Sequence, residues 1–125
     1  MPEDRKEFVE KLKKRMLDYS VLVTKFVDGL PRNLSNTILA RQLLRSATSI
    51  GANFIEAQVA ASTKDFTNFL SIALKSANET LYWLSIFRES HKGSQQVLVA
   101  LQKETFELAN ILGSIVSSLK KKVYI

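Results

Sequence analysis

Gln42, Ser46, Ser49, Asn53 and Glu56 recur at steps of four and three, with Arg45 beside them. Such steps stack side chains on one face of a helix. Farther along, Ser76 and Glu79 interrupt an apolar seam of Phe69, Ile72, Trp83 and Ile86 in the same way. Carboxylates, a guanidinium and hydroxyls held close together could bind a polar ligand or perturb one another's ionisation, as groups in active sites do. Catalysis would need more. The stripe offers no histidine and no nucleophile paired with a base. It reads instead as a structural polar network of Arg45, Ser49, Asn53, Glu56, Ser76 and Glu79, fixing helix register or an oligomer seam.

The rest of the chain holds little that could react. His91 is the only histidine, in Ser90-His91-Lys92-Gly93, where a solvent-exposed helix end is the simplest reading. A di-metal bundle site needs two Glu-x-x-His motifs. Here Val59 follows Glu56 by three and Tyr82 follows Glu79 by three, so neither motif forms. Cysteine is absent, which removes disulfides, thiol nucleophiles and thiolate metal sites. There is no Gly-rich phosphate loop. No catalytic residue, metal or cofactor is expected, and an enzyme is the least supported class.

Four periodic segments must position the stripe. In the first, about Asp4 to Gly29, Phe8, Leu12, Met16, Tyr19, Val23, Phe26 and Leu30 share a face until Gly29 and Pro31 end it. The second, about Asn36 to Ala60, has Asn33 or Ser35 as its cap and Leu39, Leu43, Ala47, Ile50 and Phe54 inside, joined by Leu44, Gly51 and Ile55. The third opens at Ser62-Thr63-Lys64-Asp65, a capping-box-like start. It carries Phe66, Leu70, Ala73, Ala77, Thr80, Leu84 and Phe87 to a stop near His91-Lys92-Gly93, with a glycine that suits a left-handed helix end. The fourth runs from Ser94 through Leu98, Leu101, Thr105, Leu108, Leu112, Ile115 and Leu119. Short connections make neighbours antiparallel. The expected fold is a single all-α domain over residues 1–125, an antiparallel up-down-up-down four-helix bundle.

In a hairpin turning near Ser62, residues equally far from the turn sit level. Arg45 then faces Glu79, and Ser49 faces Ser76. Small residues at Ala47, Gly51, Ala73 and Ala77 let the second and third helices approach closely. The spacing predicts a partly buried Arg45–Glu79 ion pair with Ser49, Asn53 and Ser76 hydrogen-bonded nearby, because an unpaired charge there is too costly to desolvate.

The apolar runs fall far short of the ~20 residues that span a bilayer. The charged stretch Met1 to Lys14 has no signal-peptide core. The expectation is a cytoplasmic protein with no membrane partner. Net charge is +6, from 18 Lys+Arg against 12 Asp+Glu, which favours a polyanionic partner. Candidate nucleic-acid contacts are Lys11, Lys13, Lys14, Arg15, Arg41, Lys120, Lys121 and Lys122. The aromatics Phe66, Phe69, Trp83 and Phe87 fall on core faces, so contact with RNA or DNA is expected at backbone phosphates rather than through base stacking.

Two stretches resemble a known bacterial family. They are Leu30-Pro31-Arg32 with the run from Ala40 to Ala57, including Gln42-Leu43-Leu44-Arg45-Ser46, and Lys64-Asp65-Phe66 with Ile72-Ala73 and Ser76-Ala77-Asn78-Glu79-Thr80. The likeness spans about residues 15 to 115 and is to the four-helix-bundle family of 23S ribosomal RNA intervening-sequence proteins. Where that family usually has Glu-Gly, this chain has Glu56-Ala57. The resemblance implies a four-helix bundle, a ring-like homopentamer and no established enzymatic activity. Related bundles are accessory subunits of diversity-generating retroelements that contact a reverse transcriptase and nucleic acid. The implied function is a non-enzymatic homo-oligomer binding RNA or DNA through basic surface. The alternative is a scaffold or accessory subunit that binds a protein partner instead.

Overall fold

In the computed structural model, which describes residues 2–123, four helices follow one another: α1 (Pro2–Asp28), α2 (Leu34–Gln58), α3 (Thr63–Glu89) and α4 (Gln95–Val123). Side chains are described from Asp4 to Lys121. Each helix packs on its sequence neighbours and α4 closes back on α1, while the diagonal pairs stay apart at the backbone. This is the up-down-up-down bundle that the periodicity predicts.

The boundaries follow from local chemistry. Asn33 caps α2 by accepting a 2.9 Å hydrogen bond from the Asn36 amide, so α2 begins two residues before the expected start. Ser62 caps α3 through the Asp65 amide at 3.1 Å, and Ser94 accepts from the Val97 amide at 3.2 Å ahead of α4. Ala57, at the family-variant position, is buried inside α2, which continues to Gln58.

The end of α3 departs from expectation. His91, not Gly93, takes the left-handed position that closes the helix, with φ of 54°. Its amide donates to Arg88 O at 3.2 Å and the Lys92 amide to Phe87 O at 2.9 Å, a doubly bonded helix stop. Gly93 also has positive φ, 75°, and a Cβ there would lie 2.8 Å from the Phe26 ring. That ring packs edge-on against Phe87, with centroids 5.6 Å apart, and seals one end of the bundle.

Met16, Val23, Leu43, Ile50, Phe54, Leu70, Leu84, Phe87 and the α4 leucines from Leu98 to Leu112 form one continuous core. Three residues assigned inward by spacing are half exposed: Phe8, Ile55 and Ile72, at 48%, 50% and 45%. Phe8 lies one turn past the last core layer of α1; Ile55 and Ile72 lie on the flanks of their helices, where no neighbour covers them. Gly51 also serves a different seam. A Cβ there would meet Met16 of α1 at 3.2 Å, so this glycine admits α1 rather than α3.

Substitutions in the α3–α4 turn should act in opposite directions. His91→Gly relieves a left-handed side chain and should raise stability by about 1 kcal/mol. Gly93→Ala adds backbone strain and a conflict with Phe26, and should cost about 2 kcal/mol. Urea unfolding followed by circular dichroism measures both. A Gly93→Ala protein as stable as the original would refute the packing account of this turn.

Candidate functional site

The polar stripe lies along the seam of α2 and α3, the closest-packed helix pair. Its layers match the register expected from the hairpin. Arg45 pairs with Glu79, whose same oxygen accepts from the Trp83 indole at 2.9 Å. Gln42 Oε1 holds the other side of the guanidinium, accepting from Arg45 Nη2 at 2.9 Å. One turn away, Ser49 Oγ and Ser76 Oγ are 2.8 Å apart. Asn53 Nδ2 donates to both Ser49 Oγ and Ser49 O at 2.9 Å, which leaves the Ser49 hydrogen for Ser76.

Two features differ from the expectation. The ion pair is not sunk into the seam: the Arg45 and Glu79 side chains retain 55% and 38% exposure. Both are long and snorkel to the rim. Glu56 points to solvent and shares none of the network's bonds. The buried polar contact lies deeper, where Thr80 Oγ1 donates to Ser76 O at 2.7 Å and lies 2.9 Å from Ser46 Oγ, both residues fully covered. Ser46 belonged to the stripe but not to the expected network, because spacing does not reveal which of two adjacent hydroxyl rows faces inward.

The Trp83 hydrogen bond and then Arg45 hold the Glu79 carboxyl below its ordinary range. The hydroxyls of Ser46, Ser49, Ser76 and Thr80, the Asn53 amide nitrogen and the Arg45–Glu79 pair are bonded to one another or to neighbouring backbone. Shallow surface depressions occur elsewhere, at Asn33–Leu39, along α1 beside Glu104, between Arg88 and Gln102, and around Gly93; none of these is lined by Arg45, Ser49, Asn53 or Glu79. Among the described residues no three His, Cys, Asp or Glu side chains gather as metal ligands. No helix among them is long and apolar enough to cross a membrane.

The basic candidates divide into two groups. On α1 every one has an acidic neighbour. Lys11 lies 3.1 Å from Glu7, Lys13 3.4 Å from Glu10, and Lys14 2.5 Å from Asp18. Arg15 reaches across to α4, 2.7 Å from Glu104 and 3.5 Å from Glu107. The Glu104 hydrogen bond raises the Arg15 pKa further, so this charge is permanent and locally balanced. Beneath it the buried Tyr19 hydroxyl lies 2.5 Å from Thr105 Oγ1. Thr105 already donates to Leu101 O, so the phenol is the donor; burial pushes its pKa up. Arg41, Lys120 and Lys121 have no acidic partner among the described residues. Lys122 lies outside the described side chains.

Two exposed aromatics have no role in the reading of the sequence. Tyr82 and Phe106 are 62% and 58% exposed, on the outer faces of α3 and α4. The available signal was position, because neither falls on the three-and-four ladder of core residues in its helix.

Fold and seam together define an antiparallel four-helix-bundle protein whose polar stripe joins two helices. The chain belongs to the 23S rRNA-intervening sequence protein family, whose family model matches residues 10–114. It is similar to a crystal structure of a protein with unknown function from the S23 ribosomal protein family of Bacteroides thetaiotaomicron. The two are 34% identical, with 87% of this chain and 97% of that chain covered and a TM-score of 0.80. No curated protein sequence matches the chain.

The exposed ion pair should matter less than the buried hydroxyls. Glu79→Gln should cost about 0.5 kcal/mol at neutral pH, and Thr80→Val about 1 kcal/mol or more. The Glu79 pKa is lowered by folding, so its contribution is complete above the unfolded value near ~4.3 and is lost as pH falls through the folded value. The gap between wild type and Glu79→Gln should therefore narrow as pH falls below the unfolded value and vanish once the folded carboxyl is protonated. Urea titrations across pH measure this, and a gap that stays constant to acid pH would contradict the assignment.

Proposed function

We propose that this protein is a non-catalytic homo-oligomer, assembled as a pentameric ring, that binds RNA or DNA through basic surface in the cytoplasm. One observation carries the binding part: the acids are spent unevenly. On α3 and α4 the mid-helix carboxylates are Glu79, Glu104 and Glu107, and each is drawn to a flank by Arg45 or Arg15. The cations Lys75, Lys103, Lys120 and Lys121 of the same helices have no acidic partner among the described residues. Part of the net charge of +6 therefore stands on these two helices without an acidic partner. Polyanions are attracted to such a surface because each neutralised phosphate releases counterions. The family description, which names an RNA-associated sequence, supports the same reading.

Homo-oligomerisation is supported by exposed apolar side chains on the outer face of α2 and the flank of α3. Leu34, Ile38 and Ile72 are 79%, 52% and 45% exposed, and a second copy would cover such surface. The reading as an accessory subunit that contacts another protein rests on the same residues.

Gel-shift titration of structured RNA and DNA tests the binding. Affinity should fall steeply with salt, with a logarithmic slope of about −0.9 per phosphate contacted on duplex DNA. Replacing Lys120, Lys121 and Lys122 together, or Arg41, should weaken binding more than replacing Lys11 and Lys14, whose charges are already balanced. No shift of any RNA or DNA at low salt would overturn the proposal.

A further inference from the structure

Beyond carrying unpaired cations, the outer face shared by α3 and α4 displays aromatic rings. Two contacts fix how the helices sit side by side: Arg88 Nη1 donates to Gln102 Oε1 at 2.7 Å, and a Cβ on Gly113 would lie 3.9 Å from Leu74. Between these levels, Phe106 comes opposite Leu81 and Ser85, and Asn110 opposite Asn78. On α4, Lys103, Phe106 and Asn110 step by three and four and are all exposed. On α3, Lys75, Asn78 and Tyr82 do the same, also exposed. The Tyr82 ring is braced edge-on by Trp83, with centroids 5.3 Å apart.

The carboxylates nearest this stretch are already engaged, although Glu107 stays 49% exposed one turn from Lys103. Glu79 turns toward α2, where Arg45 and the Trp83 indole hold it, and Glu104 and Glu107 turn toward α1 and Arg15. The next acid is Glu89, at the far end of α3. What remains are cations, amides and two rings that expose much of their area to water. A buried ring fills a core, but the Phe106 ring, 58% exposed between a lysine and an asparagine, presents most of its area to water.

We propose that the α3–α4 outer face binds single-stranded nucleic acid, with Phe106 and Tyr82 as stacking platforms and Lys75 and Lys103 on the phosphates. This rests on the nucleic-acid reading above and sharpens it, because stacking requires unpaired bases that a duplex keeps in its own stack. An aromatic face accepts any base, and neighbouring cations follow the backbone without reading sequence. Asn78 and Asn110 supply both a donor and an acceptor to base edges. The sequence had suggested phosphate contacts alone; the two exposed rings add the second component that single-strand binding surfaces use.

The test is fluorescence anisotropy with labelled single-stranded RNA and DNA and with a duplex of the same sequence, with light scattering on the same samples. Wild type should bind single strands more tightly than the duplex. Phe106→Ala should lose roughly 5- to 100-fold in affinity, Phe106→Trp should retain it, and Lys103→Gln should reduce the salt slope by about one contact. Leu17→Ala removes an equally exposed apolar side chain from α1 and should change nothing. If wild type binds no nucleic acid, the proposed function itself falls. If wild type binds and Phe106→Ala binds equally well, only this face is wrong. A variant whose oligomeric mass changes while its affinity does not would show that the face joins copies of the chain, and would overturn the inference.

Discussion

The close seam between α2 and α3 is the constraint on which the remaining structure depends. Ala47, Ala73 and Ala77 are completely covered and short enough to bring the two backbones together. Once they meet, a hydroxyl on either helix has no access to water and must find a partner. Thr80 finds Ser46 and the Ser76 carbonyl, and Ser76 finds Ser49. These bonds are short and directional, so sliding one helix by a turn would break both together. Large apolar side chains would tolerate that slip better, which is the physical reason for small polar residues in this position.

Two of the other three seams are built differently. The α1–α2 contact depends on one missing side chain, at Gly51, where the backbone of α2 approaches Met16. The α1–α4 contact is the loosest and is bridged by long side chains, Arg15 to Glu104 and Glu107, above the buried Tyr19–Thr105 pair. A wide seam needs a long reach, and arginine supplies it with two parallel bonds to Glu104, both 2.7 Å. The bundle thus has a tight side, set by alanine and serine, and an open side held by charge.

Much of this was legible in the sequence, and the misses share a cause. Spacing located four helices because burial imposes a period, and the hairpin register placed Arg45 against Glu79 and Ser49 against Ser76. Spacing does not state how far a residue on the flank is covered. Phe8, Ile55 and Ile72 fit an apolar ladder yet remain half exposed, and Glu56 fits the polar stripe yet faces water. The same blindness affects partner choice. Gly51 sits among residues that face α3 but admits α1, and His91 rather than the nearby Gly93 takes the left-handed helix end. A glycine marks a place where a side chain does not fit, without saying what fills the space.

Charge carried the least information when counted and the most when assigned to partners. The cluster from Lys11 to Arg15 is the densest basic run, yet its four cations are matched by Glu7, Glu10, Asp18, Glu104 and Glu107. Those pairings have a consequence on the opposite side. Glu104 and Glu107 are turned to Arg15 rather than to Lys103, and Glu79 is turned to Arg45 and Trp83 rather than to Lys75. The ion pairs that hold the helices in place therefore also decide which cations are left without a partner among the described residues. Lys75 and Lys103 are left without a salt bridge because the mid-helix acids of α3 and α4 are engaged at the other seams.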